Sequence, residues 1–145
     1  MITLEAIKAA INAAMASTGF KTYGNEIKEG FQRPCFFVNL IPIKSETFKL
    51  DTSENSIMVE IVYFSANKTD LENLQMYDTL KSKLTPTLTI ETKRKLVRNF
   101  RAEVIDEIDH IYSIKFDLNF YDEITDDTPP AEPMGEMELT LKLGG

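Results

Sequence analysis

Histidine and cysteine, two side chains that often act as nucleophiles, bases or metal ligands, occur once each in this sequence, as His110 and Cys35. One cysteine and one histidine cannot make a structural zinc site, which needs four ligands. A nucleophilic cysteine needs a partly exposed, electropositive setting, whereas Cys35 lies in the apolar run PCFFVNLIPIK and is expected to be a buried thiol. No acidic residue is spaced to act as a partner of His110, so we interpret it as a structural histidine of a sheet.

Carboxylates are plentiful, and their spacing decides what chemistry they could do. Acidic residues are grouped in two places, residues 106–109 at a predicted turn and residues 122–127 before a pair of prolines. The EF-hand spacing with its central glycine is absent from both, so solvated acidic loops are the simpler interpretation. No GxGxxG or GxxxxGK[ST] run is present to hold a phosphate group. The residues therefore predict a protein that is not an enzyme and needs no metal or cofactor.

One basic cluster lies in this acidic chain, within the run KRKLVRNFR. A solvated strand face is the simplest interpretation. Alternatively, the cluster pairs with the acidic stretch of the next copy of the chain, because separate, oppositely charged patches suit head-to-tail association, which closes into a ring where the rotation allows. Contact with passing DNA is a third interpretation. The hypothetical subunit interface comprises Lys93, Arg94, Lys95, Arg98, Arg101, Asp122, Glu123, Asp126 and Asp127.

Length, charge and hydropathy disfavour several classes of protein. The chain has 145 residues, which fits one domain with a real core, and we predict a single domain over residues 1–145. Its net charge of −7 disfavours a domain built to grip nucleic acid. No apolar run approaches the ~20 residues that span a bilayer, and MITLEAIKAA lacks the pattern of a signal peptide. We therefore expect a protein of the cell interior with no membrane partner.

The longest regular pattern is a period-two alternation in HIYSIKFDLNFY, residues 110–121. His110 and the apolar residues at every second position after it fill one side, and mainly polar residues fill the other, as in an antiparallel strand with one wet face. Ile108 is expected to extend the apolar face toward the N-terminus. Strands of globular proteins usually have ~5–6 residues. This strand is therefore expected to extend beyond its own core or to lie along a neighbour.

Two amphipathic helices are predicted. The first begins after the N-cap residue Thr3 and ends before Gly19. The second, in KTDLENLQMYDTLKSKL, has a capping box formed by Thr69 and Glu72. Its apolar stripe comprises Leu71, Leu74, Tyr77, Leu80 and Leu84.

The remaining apolar runs predict strands, and together with the helices they predict an α+β fold. The expected architecture is a mostly antiparallel sheet with the two helices packed on one face. The predicted strands are a short one within residues 20–33, an interior one in PCFFVNLIPIK that Pro42 limits, and strands from about Thr87 and from about Arg98. A hairpin is also predicted, with arms at 47–50 and 57–64 and a polar turn around residues 51–55.

The C-terminal part of the chain has a different character. YDEITDDTPPAEPMGE is acidic and contains three prolines, which predicts a mobile, exposed excursion at about residues 122–136. EMELTLKL then alternates again, which predicts a strand at about residues 136–143. Such a strand could pair with its own sheet or with the exposed edge of a neighbouring subunit.

The order of these pieces resembles the tail terminator, or tail-completion, family of long-tailed phages. The most specific pieces are RPCFFVNLIP followed by a hairpin, and RNFRAEVIDEIDHIYSIKFDLNF. The resemblance covers residues 1 to about 122. It is strongest toward members from contractile-tailed phages and from phage-like tail particles of Gram-positive bacteria.

The resemblance implies a virion structural protein that forms a ring, expected to be a hexamer, at the head-proximal end of the tail tube. Such a ring ends tail polymerisation and presents a surface for joining the head. The implied partners are further copies of the chain, the tail tube protein, the sheath protein if the tail contracts, and a neck or head-completion protein. DNA would pass through without specific binding, and the subunit would be found in the host cytoplasm during assembly.

Two other classes of function remain open from the sequence. One is a different tail or neck subunit, such as a head-tail connector, a tube subunit or a baseplate component. The other is a small-ligand or peptide-binding module, or an enzyme of an unfamiliar type. A terminator would bind one end of a tail tube, a neck adaptor would need assembled heads, and a binding module would ignore tubes.

Overall fold

A computed structural model describes residues 2–24 and 31–123 of the chain. It contains two α-helices and six β-strands, and a short 3-10 turn at Ala16–Thr18 follows the first helix. In chain order the elements are α1 (Leu4–Met15), β1 (Lys21–Tyr23), β2 (Cys35–Lys49), β3 (Thr52–Phe64), α2 (Asp70–Leu84), β4 (Thr87–Ile90), β5 (Lys93–Asp106) and β6 (Ile111–Glu123).

The six strands form one curled sheet in the order β1-β2-β3-β6-β5-β4. All neighbours are antiparallel except β1 and β2, which run parallel. The central pair is β3 and β6. Their register is uninterrupted, from Thr52 opposite Glu123 at one end to Phe64 opposite Ile111 at the other. The two long hairpins β2–β3 and β5–β6 therefore meet along one continuous ladder in the middle of the sheet.

Both helices cover the same face of the sheet, which we call the helix face. Ile7, Ile11 and Met15 of α1 are fully buried in one apolar cluster with Leu80 and Leu84 of α2. The same cluster takes alternate residues of the central strands, from Ile57 to Tyr63 on β3 and from Tyr112 to Phe120 on β6. These alternate residues define the helix face, and the residues between them define the outer face, as the period-two geometry of a strand requires.

The alternation predicted for the last long strand is confirmed, with one correction at its start. Ile114, Phe116 and Leu118 of β6 are fully buried on the helix face. His110, however, lies in the turn before β6, with a left-handed backbone (φ 54°). Ile108, expected to extend the apolar face, is 88% exposed in the same turn. A period-two pattern cannot reveal where a strand gives way to a turn.

Both helix starts agree with the prediction, whereas the apolar stripe of α2 is partly wrong. The hydroxyl of Thr3 accepts the Ala6 N–H at 3.1 Å, and the hydroxyl of Thr69 accepts the Glu72 N–H at 3.2 Å. The buried residues of α2 are Asn73, Met76, Leu80 and Leu84. Leu71 and Leu74 lie in the exposed part of the helix surface, because the helix is rotated so that Asn73 and Met76 meet the sheet instead.

The first hairpin is much longer than predicted. The strand expected to stop near Pro42 continues through a β-bulge between Pro42 and Lys44, and it reaches Lys49 as a single strand. The turn is at Leu50 and Asp51, and the residues expected to form a polar turn, 52–55, belong to β3. On β2, every residue from Ile41 to Lys49 is exposed. The hairpin therefore projects beyond the core.

The α+β class, the mostly antiparallel sheet and the two helices on one face are confirmed. Asp122 and Glu123, where the acidic excursion was predicted to begin, are the last residues of β6. The rest of the excursion and the predicted strand at about residues 136–143 lie outside the described residues.

We expect Leu80→Ala to lower the free energy of unfolding by about 2–5 kcal/mol, because it removes a fully buried side chain and leaves a cavity. Leu71→Ala, on the same helix but at a side chain that is 64% exposed, is the control and should cost less than about 0.5 kcal/mol. Urea unfolding of both variants measures the difference. Equal losses would contradict the assigned rotation of α2.

Candidate assembly surfaces

The outer face of the sheet carries no helix in the described part of the chain. Aromatic residues, among them Phe31, Phe37 and Phe64, pack together at the end of this face near β1, and mainly polar and charged residues line the rest. Its central element is Glu60 on β3, whose carboxylate accepts the amide of Asn39 at 3.0 Å and the hydroxyl of Ser113 at 2.7 Å. These bonds join three neighbouring strands. They fix the side chains of β2, β3 and β6 to one another on this face, where Ser113 is fully buried.

A β-bulge decides where the basic side chains of β5 lie. Arg98 is opposite Asp117 and Arg101 is opposite Lys115, and the register shifts between the two arginines. Asn99, in the bulge, has a left-handed backbone (φ 59°), a conformation that asparagine tolerates better than most residues. In a regular strand, two residues three positions apart would lie on opposite faces. In the bulge, β5 advances three residues while β6 advances two. The bulge brings both to the outer face.

The structure divides the predicted basic cluster between the two faces of β5. Arg94, Arg98 and Arg101 lie on the outer face. Lys93 and Lys95 lie on the helix face, where Lys95 Nζ sits 5.3 Å from the ring centroid of Phe120. Arg101 Nη1 lies 3.6 Å from Asp117 Oδ1. Among the described residues, Arg98 makes no ion pair, so its charge is available for a further contact.

Asp122, the first acidic residue of the predicted interface, is less accessible than expected. Asp122 is buried, and its carboxylate accepts the Ile2 N–H at 2.5 Å and the Glu123 N–H at 2.9 Å. This carboxylate fixes the chain just before α1 to the end of β6. Glu123 is exposed, whereas Asp126 and Asp127 lie outside the described residues.

Two long strands extend past the short strands at the borders of the sheet. β1 pairs only with Cys35–Phe37 of β2, and β4 pairs only with Lys93–Leu96 of β5. The Pro86 carbonyl also accepts the Val97 N–H at 2.9 Å. Beyond these contacts, β2 and β5 have no strand neighbour on their outward sides within the described residues. Such edges are templates for pairing with another strand.

Exposed apolar side chains are concentrated near the ends of the two long hairpins. On the β2–β3 hairpin, Leu50 at the turn is 97% exposed, and Phe48 packs against Tyr121 with ring centroids 5.3 Å apart. At the β5–β6 turn, Val104, Ile105 and Ile108 are exposed. Apolar groups at projecting ends are typical of surfaces that another protein covers. Their exposure could not be predicted, because in the sequence each is an ordinary apolar residue.

A half-open cleft of about 380 Å³ lies between the β2–β3 hairpin and β5. Its charged residues are Lys44, Glu54 and Arg98. Lys44 Nζ lies 3.4 Å from Glu54 Oε1 and 3.5 Å from Glu46 Oε1, so the charge of Lys44 is balanced by these two carboxylates. No nucleophile with a neighbouring base lines this cleft, and its chemistry is that of a contact surface.

His110 has a partner that spacing in the sequence could not reveal. Its Nδ1 lies 3.1 Å from Asp70 Oδ1 at the start of α2, and Lys68 Nζ lies 3.2 Å from Asp109 Oδ1 beside it. The Asn73 amide donates to the His110 carbonyl at 3.1 Å. The turn that contains His110 is therefore fastened to α2, which is a structural role.

The other groups that could react are kept neutral by burial. Burial raises the pKa of the Cys35 thiol above its usual value, against a smaller lowering by Arg33. Burial, with Glu72 adding to it, raises the pKa of Tyr63 to about 12. Within residues 2–24 and 31–123, no three acidic, histidine or cysteine side chains are grouped to hold a metal ion. None of the described helices is long and apolar enough to cross a membrane.

Comparison with models of protein families gives a match over most of the chain. The family model described as "Phage tail terminator protein" matches residues 4–130. Comparison with curated proteins finds no significant match. A solved structure of a protein without a descriptive name is similar over 88% of this chain and 100% of its own, with 12% identity and a TM-score of 0.49, values too low to carry an argument.

Cys35 is expected to resist alkylation by iodoacetamide at pH 8 in the folded protein and to react fully in denaturant. The reason is that the side chain is fully buried and its pKa is raised, so little thiolate is exposed. Mass spectrometry of the alkylated protein measures the modified fraction. The control is an Ile43→Cys variant, whose added thiol lies on the exposed part of β2 and should react at once. Rapid modification of native Cys35 would contradict its assigned environment.

Proposed function

Because this chain belongs to the phage tail terminator family, whose model matches residues 4–130, we propose that its copies form a ring, expected to be a hexamer, that closes the head-proximal end of a tail tube. The family is structural and generally non-enzymatic, and membership makes the chain a phage tail assembly protein that interacts with the tail tube. The ring, its size and its place on the tail belong to the proposal.

The observation that carries the ring is the presence of two unlike borders on one sheet. A closed ring of identical subunits is built from head-to-tail contacts, each joining two different surfaces. The β2 border offers exposed apolar side chains, among them Ile43, Phe48 and Leu50. The β5 border offers the exposed arginines 94 and 98. Two copies can therefore meet through unlike surfaces without using the same one twice.

Charge supports the same arrangement. Glu123 lies opposite Thr52, at the end of the sheet where the β2–β3 hairpin turns, and Asp126 and Asp127 follow within four residues. In the ring, this acidic stretch meets the basic cluster of the next subunit. Complementary charges of this kind fix the register of the contact and speed its formation.

The ring stops further tube subunits from adding and presents its other side to a neck or head-completion protein. An acidic subunit of net charge −7 suits a channel through which DNA passes without adhering, since like charges repel. We further propose that the tail is contractile, or a phage-like particle of a Gram-positive host, so that the ring also contacts the last sheath ring. The support for this last step is the sequence resemblance.

Added to assembling tail tubes, the protein is expected to bind one end of each tube and to stop elongation there. Negative-stain electron microscopy of tubes with and without the protein measures both the caps and the tube lengths. Binding along the sides of tubes, or lengths that do not change, would refute the terminator role.

The variant Arg94→Glu/Arg98→Glu should require about tenfold more protein to cap half of the tubes, because two favourable contacts per interface become repulsive. The matched control is Lys8→Glu/Lys81→Glu on the two helices, which changes the net charge equally away from β2 and β5. Thermal unfolding should show that both variants are folded. If the two variants cap tubes equally well, the basic cluster is not part of the interface.

In the absence of tubes, the protein is expected to be monomeric or weakly associated at micromolar concentration, since a ring that closes early could not be placed on a finished tube. Light scattering across a concentration series measures the mass. A stable dimer at all concentrations would count against the proposed assembly route.

A further inference from the structure

The two borders of the sheet are stepped, because a short strand covers each long strand over only part of its length. We call residues that lie opposite one another on neighbouring strands a row. β1 covers β2 only in the rows of Cys35–Phe37, and β4 covers β5 only in the rows of Lys93–Leu96. The rest of each outward edge has no strand neighbour among the described residues.

β1 lies at the same height as the uncovered part of β5, although the two strands are on opposite borders. One row crosses the sheet from Tyr23 on β1 to Glu103 on β5. The rows of Lys21 and Thr22 also end on the uncovered part of β5. The step formed by β1 therefore matches the height of the open stretch on the other border.

β4 lies, in the same way, at the height of an uncovered part of β2. The row of Val97 on β5 ends at Pro42 on β2. β4 pairs with the residues of β5 just before Val97, so its rows are those of residues 44–47 on β2. Lys95 Nζ lies 5.3 Å from the ring centroid of Phe120, which agrees with this register. Each border is thus open where the other border has its step.

We propose that, in the ring, the β1–β2 border of one subunit fits the β4–β5 border of the next subunit at equal height. β1 then lies against the uncovered part of the neighbour's β5, and the neighbour's β4 lies against the uncovered part of β2. Both short strands occupy one column between the two long strands. The rows from Val38 to Pro42 separate them, so they do not collide. The inference rests on the proposed ring and specifies the contact within it.

The directions of the strands permit both new pairings. β2 and β6 run one way and β3 and β5 the other, β1 runs with β2, and β4 runs against β5. Rotation about an axis along the strands keeps all these directions. β1 therefore meets the neighbour's β5 antiparallel, and the neighbour's β4 meets β2 parallel. Both arrangements form regular hydrogen-bonded ladders.

One pair of free charges supports the contact between β1 and β5. Lys21 and Glu103 are exposed on the outer face, and neither makes an ion pair among the described residues. Lys21 is in the row of Asp106, whose carboxylate already accepts the N–H groups of Ile108 and Asp109. The available partner of Lys21 is therefore Glu103 of the next subunit, two rows away on the same face and within reach of a long side chain.

The helix face gains an apolar contact in the same place. Thr22 of β1 is in the row of Val104, which is 41% exposed. In the proposed contact, the methyl group of Thr22 and the side chain of Val104 lie opposite each other on two subunits. Hydrogen bonding, charge and burial of an apolar side chain therefore act at one border.

A two-fold contact, in which β5 pairs with β5 of a second copy, uses these borders less completely. It would leave the uncovered part of β2 open in both copies, and such edges promote further association. The head-to-tail contact covers both edges of every subunit, and it can be repeated around a ring.

Disulfide formation between subunits tests the contact of β1 with β5. In the variant Thr22→Cys/Val104→Cys, oxidation of the protein at its highest soluble concentration should give covalent trimers and larger species. Their yield should be at least about fivefold higher than in either single variant, because opposite residues of paired strands have Cα atoms within disulfide range. Electrophoresis without reducing agent measures the species. Within one subunit, three strands separate β1 from β5, so no intramolecular bond competes.

A second variant tests the contact of β4 with β2. Thr89 and Glu46 occupy the same row at equal height and are both exposed, so Thr89→Cys/Glu46→Cys should give the same series of covalent oligomers. The matched control is Thr89→Cys/Thr79→Cys, whose second thiol is on the exposed surface of α2 and should give at least about fivefold less. Native Cys35 is buried and is present in every variant.

Three outcomes would overturn the proposal. Covalent dimers of the single variant Val104→Cys would assign the β5 edge to a two-fold contact. Linkage through only one of the two cysteine pairs would contradict the equal height, which requires both. The third is the absence of linkage in both variants, with the oxidation repeated in the presence of tail tubes to collect subunits at tube ends.

A charge swap tests the pairing of Lys21 with Glu103. In the Thr89→Cys/Glu46→Cys background, Lys21→Glu should lower the yield of linked oligomers about threefold, since an exposed attraction becomes a repulsion. Adding Glu103→Lys should restore the yield. The control Lys81→Glu makes the same change in net charge on α2 and should leave the yield unchanged. Equal yields in Lys21→Glu and Lys81→Glu, or no restoration, would refute this pairing.

The terminator role is judged separately, by the capping of tubes. Linked rings that do not cap tubes would leave the proposed contact standing and count against the terminator role. Capped tubes whose subunits cannot be linked through either cysteine pair would leave the terminator role standing and refute the contact.

Discussion

The constraint on which the rest of the structure depends is the mismatch in length between the strands at the borders of the sheet and the strands beside them. β1 and β4 have three and four residues, whereas β2 and β5 have fifteen and fourteen. Backbone groups on β2 and β5 are therefore left without strand partners in the described chain. Natural proteins seldom leave long edges unprotected, because such edges promote association. In a protein that works by assembly, unpaired edge strands can form the contacts between subunits, whereas a monomeric protein must protect such edges.

The interior of the subunit is conventional, and this is why the borders can vary. One apolar cluster joins both helices to β3 and β6, and the central ladder between these strands has no bulge. The irregularities are confined to β2 and β5, each of which has two register shifts. Bulges near the borders redirect side chains without disturbing the core. The bulge at Asn99 brings Arg98 and Arg101 to the same face, and so decides how the β5 border presents its charge.

The groups that usually carry chemistry have structural roles in the described chain. Cys35 is buried, His110 fastens a turn to α2 through Asp70, and the Asp122 carboxylate holds the Ile2 amide. The basic cluster and the acidic stretch have the opposite character, since Arg94, Arg98 and Glu123 are exposed. Contact surfaces, with unpaired arginines on β5 and exposed apolar groups at the ends of both hairpins, suit a tail assembly subunit better than a catalytic one.

The sequence by itself determined the fold class, both helix starts and the wet-faced alternation of β6, because caps and side-chain periods are local properties. It also located the basic cluster. Only the tertiary structure decided that Leu71 and Leu74 are exposed, that the β2–β3 hairpin continues past Pro42, and that Arg101 lies on the same face as Arg98. The rotation of α2, the bulges and the partners of His110 and Asp122 arise from contacts between residues far apart in the chain. No local pattern encodes those contacts.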